Sequence, residues 1–216
     1  MKTIFWNVDT QYDFMRDDES FKGALPIPGA REIESNLERL TMYANETRIQ
    51  VVNTADYHTP ASEELSDTPD FKSTFPPHCL KGTRGADFIS ATEPVDGWPV
   101  RIYWDDADFD EEALQGHCRN IVIYKDRFDV FTGNPHTEKV LEAIRPDRAV
   151  VYGVATNVCV DYAVRGLLKR GVEVYVPTDA IKELSGLPLE ETIRAWQDNG
   201  AKLVTVDDIV KYNIMD

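Results

Sequence analysis

A cysteine, an aspartate and a lysine lie at positions from which they could take part in nucleophilic catalysis. Cys159 follows the apolar run that starts at Val151, Asp9 ends a similar run near the N-terminus, and Lys125 ends another. A thiol nucleophile needs a base and a charge-balancing group, which a carboxylate and an ammonium can supply. Taken singly, Cys159 is more often buried filler in a helix, and Asp9 and Lys125 form an ordinary ion pair. The catalytic interpretation therefore requires a fold that brings the three together.

The residues before Cys159 predict the start of a helix. Thr156 or Asn157 is a suitable N-cap, which would put Cys159 in the first helical turn. Free backbone amides and the helix dipole at such a place lower the pKa of a thiol and can bind an oxyanion.

A second group of side chains suits a metal ion. Asp56 and His58 lie two residues apart in "ADYHTP", and His78 lies in "FPPHC". A carboxylate and two imidazoles are good ligands for zinc or iron, and a D-x-H pair on an extended segment points both side chains the same way. Loop histidines are nevertheless more often solvated than metal-bound. The spacing leaves three candidates for a fourth ligand: Glu63, Glu64 and Cys79.

Aromatic residues near these groups could form a pocket for a flat ligand. Phe14 and Phe75 are the candidate walls, and the loop around Phe128 is expected to help select the substrate. Core packing is the more frequent role of any one of them.

Six short apolar runs predict strands that are buried on both faces. They start at Thr3, Ile49, Asn120, Ala149, Val172 and Ala201. Helical periods lie between them, one of them following Asn134-Pro135. Alternation of this kind predicts an α/β fold with a doubly wound, mostly parallel six-stranded sheet flanked by helices. Sites in such sheets form at the carboxyl ends of the strands, where Asp9, Asp56 and Lys125 lie, and the first, third and fourth strands can be neighbours.

The interval from Thr59 to Gly116 departs from this alternation. It is rich in Pro, Asp and Ser, with a possible strand in "WPVRIYW" and a short helix in "DEEALQG". We expect one domain over residues 1–216, with a loop-rich insertion around 59–118. The run "DDADFDEEA" is expected to be a solvated acidic segment.

Composition excludes several classes of partner. The formal net charge of −15 argues against binding nucleic acid or an anionic membrane surface. No run of 18 apolar residues and no signal-peptide pattern occurs, which favours a cytoplasmic protein, and the three cysteines suit reduced thiols. We expect a small-molecule substrate and a homo-oligomer.

Five segments resemble the isochorismatase-like cysteine hydrolases, and among them most closely the nicotinamidases. They are "VDTQYDF" from Val8, "ADYHTP" from Ala55, "FPPHCLKGTRGADF" from Phe75, "YKDRFDVF" around Lys125 and "YGVATNVCV" from Tyr152. They occur in the order typical of the family. The resemblance implies the isochorismatase-like hydrolase fold.

The resemblance also implies roles for individual residues. Asp9, Lys125 and Cys159 correspond to the catalytic triad, and the amides of Ala155 and Cys159 to the oxyanion hole, next to a cis peptide at Val154-Ala155. Asp56, His58 and His78, with Glu64 as a candidate fourth ligand, correspond to a site for a divalent metal, expected to be zinc with iron or manganese as alternatives. In nicotinamidases that metal holds the pyridine nitrogen of the substrate.

The predicted activity is hydrolysis of a small carboxamide, nicotinamide to nicotinate and ammonia, through a Cys159 thioester. The chain departs from the nicotinamidase pattern at Phe75, where Trp is frequent, and after Lys125, where Gly is frequent. Alternatives are hydrolysis of another small amide or of an isochorismate-type vinyl ether, and a catalytically silent binding protein. A nucleotide-binding fold is disfavoured, because the first strand ends in "DTQYDF" and not in a Gly-rich turn.

Overall fold

A computed structural model describes residues 1–94, 99–106, 114 and 118–212, and its centre is a parallel sheet. The strands are β1 (Thr3–Val8), β2 (Gln50–Asp56), β3 (Val100–Ile102), β4 (Asn120–Lys125), β5 (Arg148–Val154), β6 (Glu173–Pro177), β7 (Ile181–Lys182) and β8 (Lys202–Val204). Their order is β3-β4-β2-β1-β5-β6-β8, with β7 pairing with β5, and every pairing among these strands is parallel.

The prediction of six strands is therefore wrong by two. β3 lies inside "WPVRIYW", where only a possible strand was expected, and β7 has two residues, too few to leave a periodic pattern. The helix predicted in "DEEALQG" and most of the acidic run fall outside the described residues.

Helices cover both faces of the sheet. They are α1 (Tyr12–Met15), α2 (Glu34–Thr47), α3 (Val130–Gly133), α4 (Thr137–Ile144), α5 (Cys159–Lys169), α6 (Glu190–Asp198) and α7 (Val206–Val210), with short 3-10 turns at Ala30–Ile33, Arg84–Ala86 and Thr178–Ala180. α4 begins at Thr137, after the predicted Asn134-Pro135 start, and Oδ1 of Asn134 accepts the His136 N–H at 2.9 Å just before it.

Two apolar layers explain the doubly wound arrangement. Alternate residues of β1 point to opposite faces, so that Trp6 packs with α4, α5 and α6, and Phe5 packs with α2 and α7. Both side chains are fully buried. Strands of this kind are mostly apolar on both faces. Asn53, in the middle of β2, is a buried exception whose side-chain oxygen accepts from the Asn7 amide at 3.0 Å.

The carboxyl ends of the central strands converge at one edge. β1 lies between β2 and β5, and β2 separates β1 from β4. The first and third predicted strands are thus not neighbours, and Lys125, in register with Asp56, must reach across β2. Within the described residues, no helix is both long and apolar enough to cross a membrane.

Candidate active site

Asp9, Lys125 and Cys159 lie together in the interior. The Nζ of Lys125 is 2.9 Å from Oδ2 of Asp9 and 3.6 Å from Sγ of Cys159. Asp9 and Lys125 are at most 1% exposed and Cys159 is 7% exposed. The three predicted residues therefore meet at the strand ends, within reach for proton transfer.

The backbone directs Asp9 towards this group. Asp9 follows β1 with φ 49°, a left-handed conformation that Asp tolerates better than most residues, and its N–H donates to the Thr54 carbonyl at 3.1 Å. The Thr54 hydroxyl donates to Oδ1 at 2.7 Å, which leaves Oδ2 to Lys125. A hydrogen bond to one oxygen thus orients the other towards the reacting groups.

Cys159 is the first residue of α5, and the predicted N-cap was wrong. The cap position is Val158, which has no capping side chain. Asn157 is used elsewhere: its side chain accepts from the N–H of Leu184 at 2.9 Å and donates to the carbonyls of Leu184 and Leu187. It therefore fastens a neighbouring loop to the start of α5, a role the sequence analysis missed.

The expectation of a lowered thiol pKa was also wrong. Burial raises the pKa of Cys159 well above its usual value, Lys125 opposes this, and the charges of Asp9 and Asp56 add to it. Burial likewise raises the pKa of Asp9 against the effect of Lys125. Burial alone would lower the pKa of Lys125, but Asp56 and Asp9 outweigh it and raise it well above normal. Cys159 therefore rests as a thiol beside a carboxyl group of increased proton affinity.

The backbone amides expected to bind an oxyanion flank the cysteine. The Val154-Ala155 peptide is cis, as the resemblance implied. The Ala155 carbonyl accepts from the N–H groups of Val158 and Val160, and the Thr156 N–H donates to Lys182. Among the described loop and turn contacts, neither the Ala155 nor the Cys159 N–H is engaged. Both can serve a substrate oxygen.

Asp56, His58 and His78 form a buried cluster on the other side of Lys125. Each offers a ligand atom, and these atoms lie within 4.8 Å of one another. Oδ2 of Asp56 is 3.6 Å from Nε2 of His78 and 3.8 Å from Nε2 of His58. Burial alone would raise the pKa of Asp56, but Lys125, which contacts its Oδ1, and the two imidazoles hold it well below normal.

The donor atoms of this cluster fit a divalent cation. Nδ1 of His78 is 2.7 Å from the Pro76 carbonyl, a contact that leaves Nε2 as the free ring nitrogen facing Asp56. Both ring nitrogens of His58 are buried without a hydrogen-bond partner. Such orphaned imidazole nitrogens are costly unless a ligand satisfies them.

The candidates for a fourth ligand differ in position. Glu63 is exposed and pairs with Arg127 at 3.0 Å, and Cys79 is buried with its Sγ 3.7 Å from the Gly85 carbonyl. Oε1 of Glu64 accepts the Phe128 N–H at 2.9 Å, while its Oε2 is buried without a partner. Partial burial raises the pKa of Glu64 to about 7. Of the three, Glu64 is the one whose carboxylate has a buried oxygen without a hydrogen-bond partner.

Gln11, which was not among the predicted site residues, holds the Asp56 backbone at the end of β2. Its amide nitrogen donates to the carbonyls of Asp56 and Ala86 at 2.7 and 2.8 Å, and its oxygen accepts the Asp56 N–H at 2.8 Å. Gln11 is fully buried, which the sequence does not show, and its place in "DTQYDF" after the first predicted strand was the available sequence signal.

A small cavity opens onto both groups. Cys159, Asp56 and His78 all line it, and the ligand atoms of Asp56 and Cys159 lie within 4.8 Å of each other. Phe14, Phe75 and Phe128, the residues expected at the pocket, line it. Five larger aliphatic residues that were not predicted there also line it: Leu25, Ile27, Val154, Val158 and Leu184. The rings of Phe75 and Phe128 pack edge to face, with centroids 5.6 Å apart. Among the described lining residues there is no Lys or Arg.

Known proteins are similar to this chain in sequence and in fold. A nicotinamidase/pyrazinamidase of Mycobacterium tuberculosis (strain ATCC 25618 / H37Rv) is 27% identical over 203 residues, which cover 88% of this chain and 90% of that protein. The structure of a Pyrococcus horikoshii pyrazinamidase in complex with zinc superposes with a TM-score of 0.70 at 24% identity, covering 95% of this chain and 99% of the other.

Two further solved structures have the same fold. A nicotinamidase of Bacillus subtilis gives a TM-score of 0.72 at 21% identity, covering 95% of this chain and 100% of the other. An N-carbamoylsarcosine amidase of Thermoplasma acidophilum gives 0.69 at 20% identity, covering 96% and 98%. The family model for the Isochorismatase domain matches residues 92–208, more than half of the chain. The chain therefore belongs to the isochorismatase domain family.

Proposed function

We propose that this chain is a metal-dependent amidohydrolase that converts nicotinamide, or a closely similar aromatic carboxamide, to the acid and ammonia. The observation that supports this most is the arrangement around one cavity: a buried group of Asp9, Lys125 and Cys159 lies next to an imidazole-carboxylate cluster. The first group suits acyl transfer and the second suits binding of a ring nitrogen.

In the proposed mechanism, Asp9 is the general base. Cys159 rests as a thiol, so its proton must leave as the sulfur attacks the amide carbon, and the raised pKa of Asp9 brings its proton affinity closer to that of the thiol. The N–H groups of Ala155 and Cys159 stabilise the oxyanion. Asp9 then donates the proton to departing ammonia, and later takes one from the water that hydrolyses the thioester.

Lys125 balances charge in both groups. Its Nζ contacts Asp9, Asp56 and Cys159, so one ammonium stabilises two buried carboxylates and faces the reacting sulfur. Without it, deprotonation of Cys159 would add negative charge beside two carboxylates.

Asp56, His58 and His78 are the proposed metal ligands, and Glu64 can contribute its unused Oε2 as the fourth. The set of two nitrogen donors and carboxylate oxygen suits zinc, with iron or manganese as alternatives. When bound, the metal supplies a Lewis acid that holds a pyridine nitrogen and so fixes the amide with respect to Cys159.

The cavity lining favours an uncharged, planar substrate. Phenylalanine and aliphatic side chains form its walls, and no Lys or Arg among the described lining residues could pair with a substrate carboxylate. A carboxylated vinyl ether of the isochorismate type, or a carboxylated amide, would be buried without a partner for its charge. This supports an aromatic amide over those alternatives.

Ammonia release tests the proposal. The purified chain is assayed with nicotinamide, pyrazinamide and simple aliphatic amides, with and without a chelator, beside the Cys159→Ala variant. We expect release from the two aromatic amides that depends on Cys159 and is lost on chelation. Release that is equal in the variant would refute the proposed triad, and no release from any amide would favour a binding protein.

The organisation of the chain is also a proposal. We propose one domain over residues 1–216 that carries its insertion around 59–118, assembles as a homo-oligomer and acts in the cytoplasm. Light scattering after gel filtration measures the assembly directly, and a monomeric mass would contradict it.

A further inference from the structure

A buried carboxylate stands outside the groups described so far. Asp13 lies in α1 and is 6% exposed. Its Oδ2 accepts the Cys79 N–H at 2.7 Å, and its Oδ1 accepts the Ala24 N–H at 2.9 Å. Among the described residues no Lys or Arg forms an ion pair with it. A buried carboxylate that only backbone amides satisfy is uncommon, and it indicates a specific positional role.

One of these amides belongs to the peptide that follows His78. The N–H of that peptide is held by Asp13, and the next carbonyl, that of Cys79, accepts the His58 N–H at 3.0 Å. Cys79 thus links the backbones of the two histidines, and it adopts φ 43°, which an L-residue rarely takes. The imidazole centroids of His58 and His78 are 4.9 Å apart. The anchor at Cys79 therefore sets the distance between two metal-binding side chains.

The other amide connects Asp13 to the opposite wall of the cavity. Ala24 precedes Leu25, whose N–H donates to the Asp13 carbonyl at 3.2 Å and whose side chain lines the cavity. One residue of α1 thereby fastens both the histidine loop and an aliphatic wall.

Two glycines leave room for this residue. A Cβ at Gly85 would lie 2.2 Å from Oδ2 of Asp13, and a Cβ at Gly23 would lie 2.3 Å from its backbone oxygen. Any side chain at Gly85 would have to displace the carboxylate. The surrounding chain is thus shaped around Asp13.

We propose that Asp13 is a positioning residue that holds His78 and His58 at the separation needed to bind the metal. This inference rests on the proposed function of the Asp56, His58 and His78 cluster. Asp13 touches neither substrate nor reacting atoms. Partners that orient metal ligands typically contribute about 10- to 100-fold to metal affinity.

The test is a zinc titration of Asp13→Asn. In either orientation of the asparagine amide, its NH₂ group faces one of the two backbone N–H groups, that of Cys79 or that of Ala24, and cannot accept from it. The other N–H keeps an oxygen acceptor but loses the charge of the carboxylate. We expect the dissociation constant for Zn²⁺, measured by competition with a chromophoric chelator, to rise about 10- to 100-fold. Saturating zinc should restore most of kcat for nicotinamide, a rescue that general loss of structure would not allow.

Asp179→Asn is the matched control, because Oδ1 of Asp179 also accepts a backbone N–H, that of Val206 at 2.9 Å, away from the cluster. Its zinc affinity should equal that of the wild type. Gly85→Ala is a second variant, expected to weaken zinc binding by displacing the Asp13 carboxylate.

The outcomes separate this inference from the function on which it rests. Equal zinc affinity in the wild type and Asp13→Asn would overturn the role of Asp13 alone. Zinc binding that is unchanged in Asp56→Ala would overturn the metal site itself. If neither Asp13→Asn nor Gly85→Ala folded, Asp13 would be required for the whole domain and the specific positioning role would be rejected.

Discussion

The site has a cysteine side, formed by Asp9, Lys125 and Cys159, and a histidine side, formed by Asp56, His58 and His78. The two sides differ in how their polar groups are satisfied. On the cysteine side, Lys125 neutralises Asp9 and reaches Cys159, and Thr54 orients Asp9. On the histidine side, both ring nitrogens of His58 are buried without a hydrogen-bond partner. On the cysteine side a protein cation balances the charge of Asp9, although Oδ2 of Asp9 makes no hydrogen bond. On the histidine side no described protein group satisfies the ring nitrogens of His58, which a bound ligand would do.

The difference indicates that the two sides have separate roles, one in covalent chemistry and the other in substrate recognition. Covalent chemistry needs groups already aligned before the substrate arrives, and the Lys125 ion pair and the Thr54 hydrogen bond align Asp9 in this way. Recognition of the substrate can be assigned to an added Lewis acid, which needs ligand atoms held apart and unpaired. Lys125 joins the two sides because it contacts both Asp9 and Asp56.

Removing the nucleophile should have the largest effect and should affect one side only. Cys159→Ala is expected to lower the rate of ammonia release from nicotinamide by about 10⁴-fold or more, as the loss of a nucleophile does in other hydrolases. Zinc affinity should not change. Cys118→Ala, at a half-buried thiol whose Sγ donates to Asn120, serves as the control. Comparable losses in both variants would remove the special role of Cys159.

Replacing Lys125, which contacts carboxylates on both sides, should lower the stability of the protein. Lys125→Met leaves Asp9 and Asp56 buried without their cation, and we expect the free energy of unfolding to fall by about 3–5 kcal/mol near neutral pH. Denaturant titration measures this. Lys182→Met, which breaks an ion pair with the largely exposed Glu32, should cost about 1 kcal/mol or less. Similar losses in the two variants would contradict the view that Lys125 joins the two sides.

Metal removal should act on substrate recognition. With metal bound, kcat/KM for nicotinamide should exceed that for benzamide, which lacks the ring nitrogen, by about tenfold or more, the equivalent of ~1.4 kcal/mol. A chelator should abolish this preference, and added zinc should restore it. If chelation lowered kcat/KM for both amides by the same factor, the metal would belong to the reacting side and the separation of roles would fail.

The smallest expected effect is that of Glu64 titration on the stability of the protein. The pKa of Glu64 in the folded protein is about 7 against an ordinary 4.5. The folded state therefore favours the protonated side chain, and the contribution of Glu64 to the free energy of unfolding is full below pH 4.5 and is lost as the pH rises through 7. In metal-free protein, Glu64→Gln should therefore gain stability over the wild type between pH 4.5 and pH 8, by about 1–2 kcal/mol after allowance for solvent screening. Thermal unfolding across that range measures the difference, and a gap that is independent of pH would assign Glu64 an ordinary pKa.

The sequence predicted the main strands and helices well, because these elements depend on the apolar periodicity of residues that are close together in the chain. The apolar runs at Thr3 and Ala149 became β1 and β5, and the helical period between the first two of the six runs became α2. The predictions failed where a residue serves a distant partner. Asn157 was expected to cap α5 but binds the loop at Leu184, and β7 was too short to have a period.

The residue types and their order along the chain were determined by the sequence alone: a thiol, a carboxylate and a lysine at strand ends, and a D-x-H pair with a later histidine. Their chemistry could therefore be predicted before any geometry was known. Only the tertiary structure decided that Lys125 crosses β2 to serve two carboxylates, and that burial raises the pKa of Cys159 instead of the helix lowering it. Both outcomes depend on strand order and on depth in the interior, which arise from contacts between residues far apart in the chain.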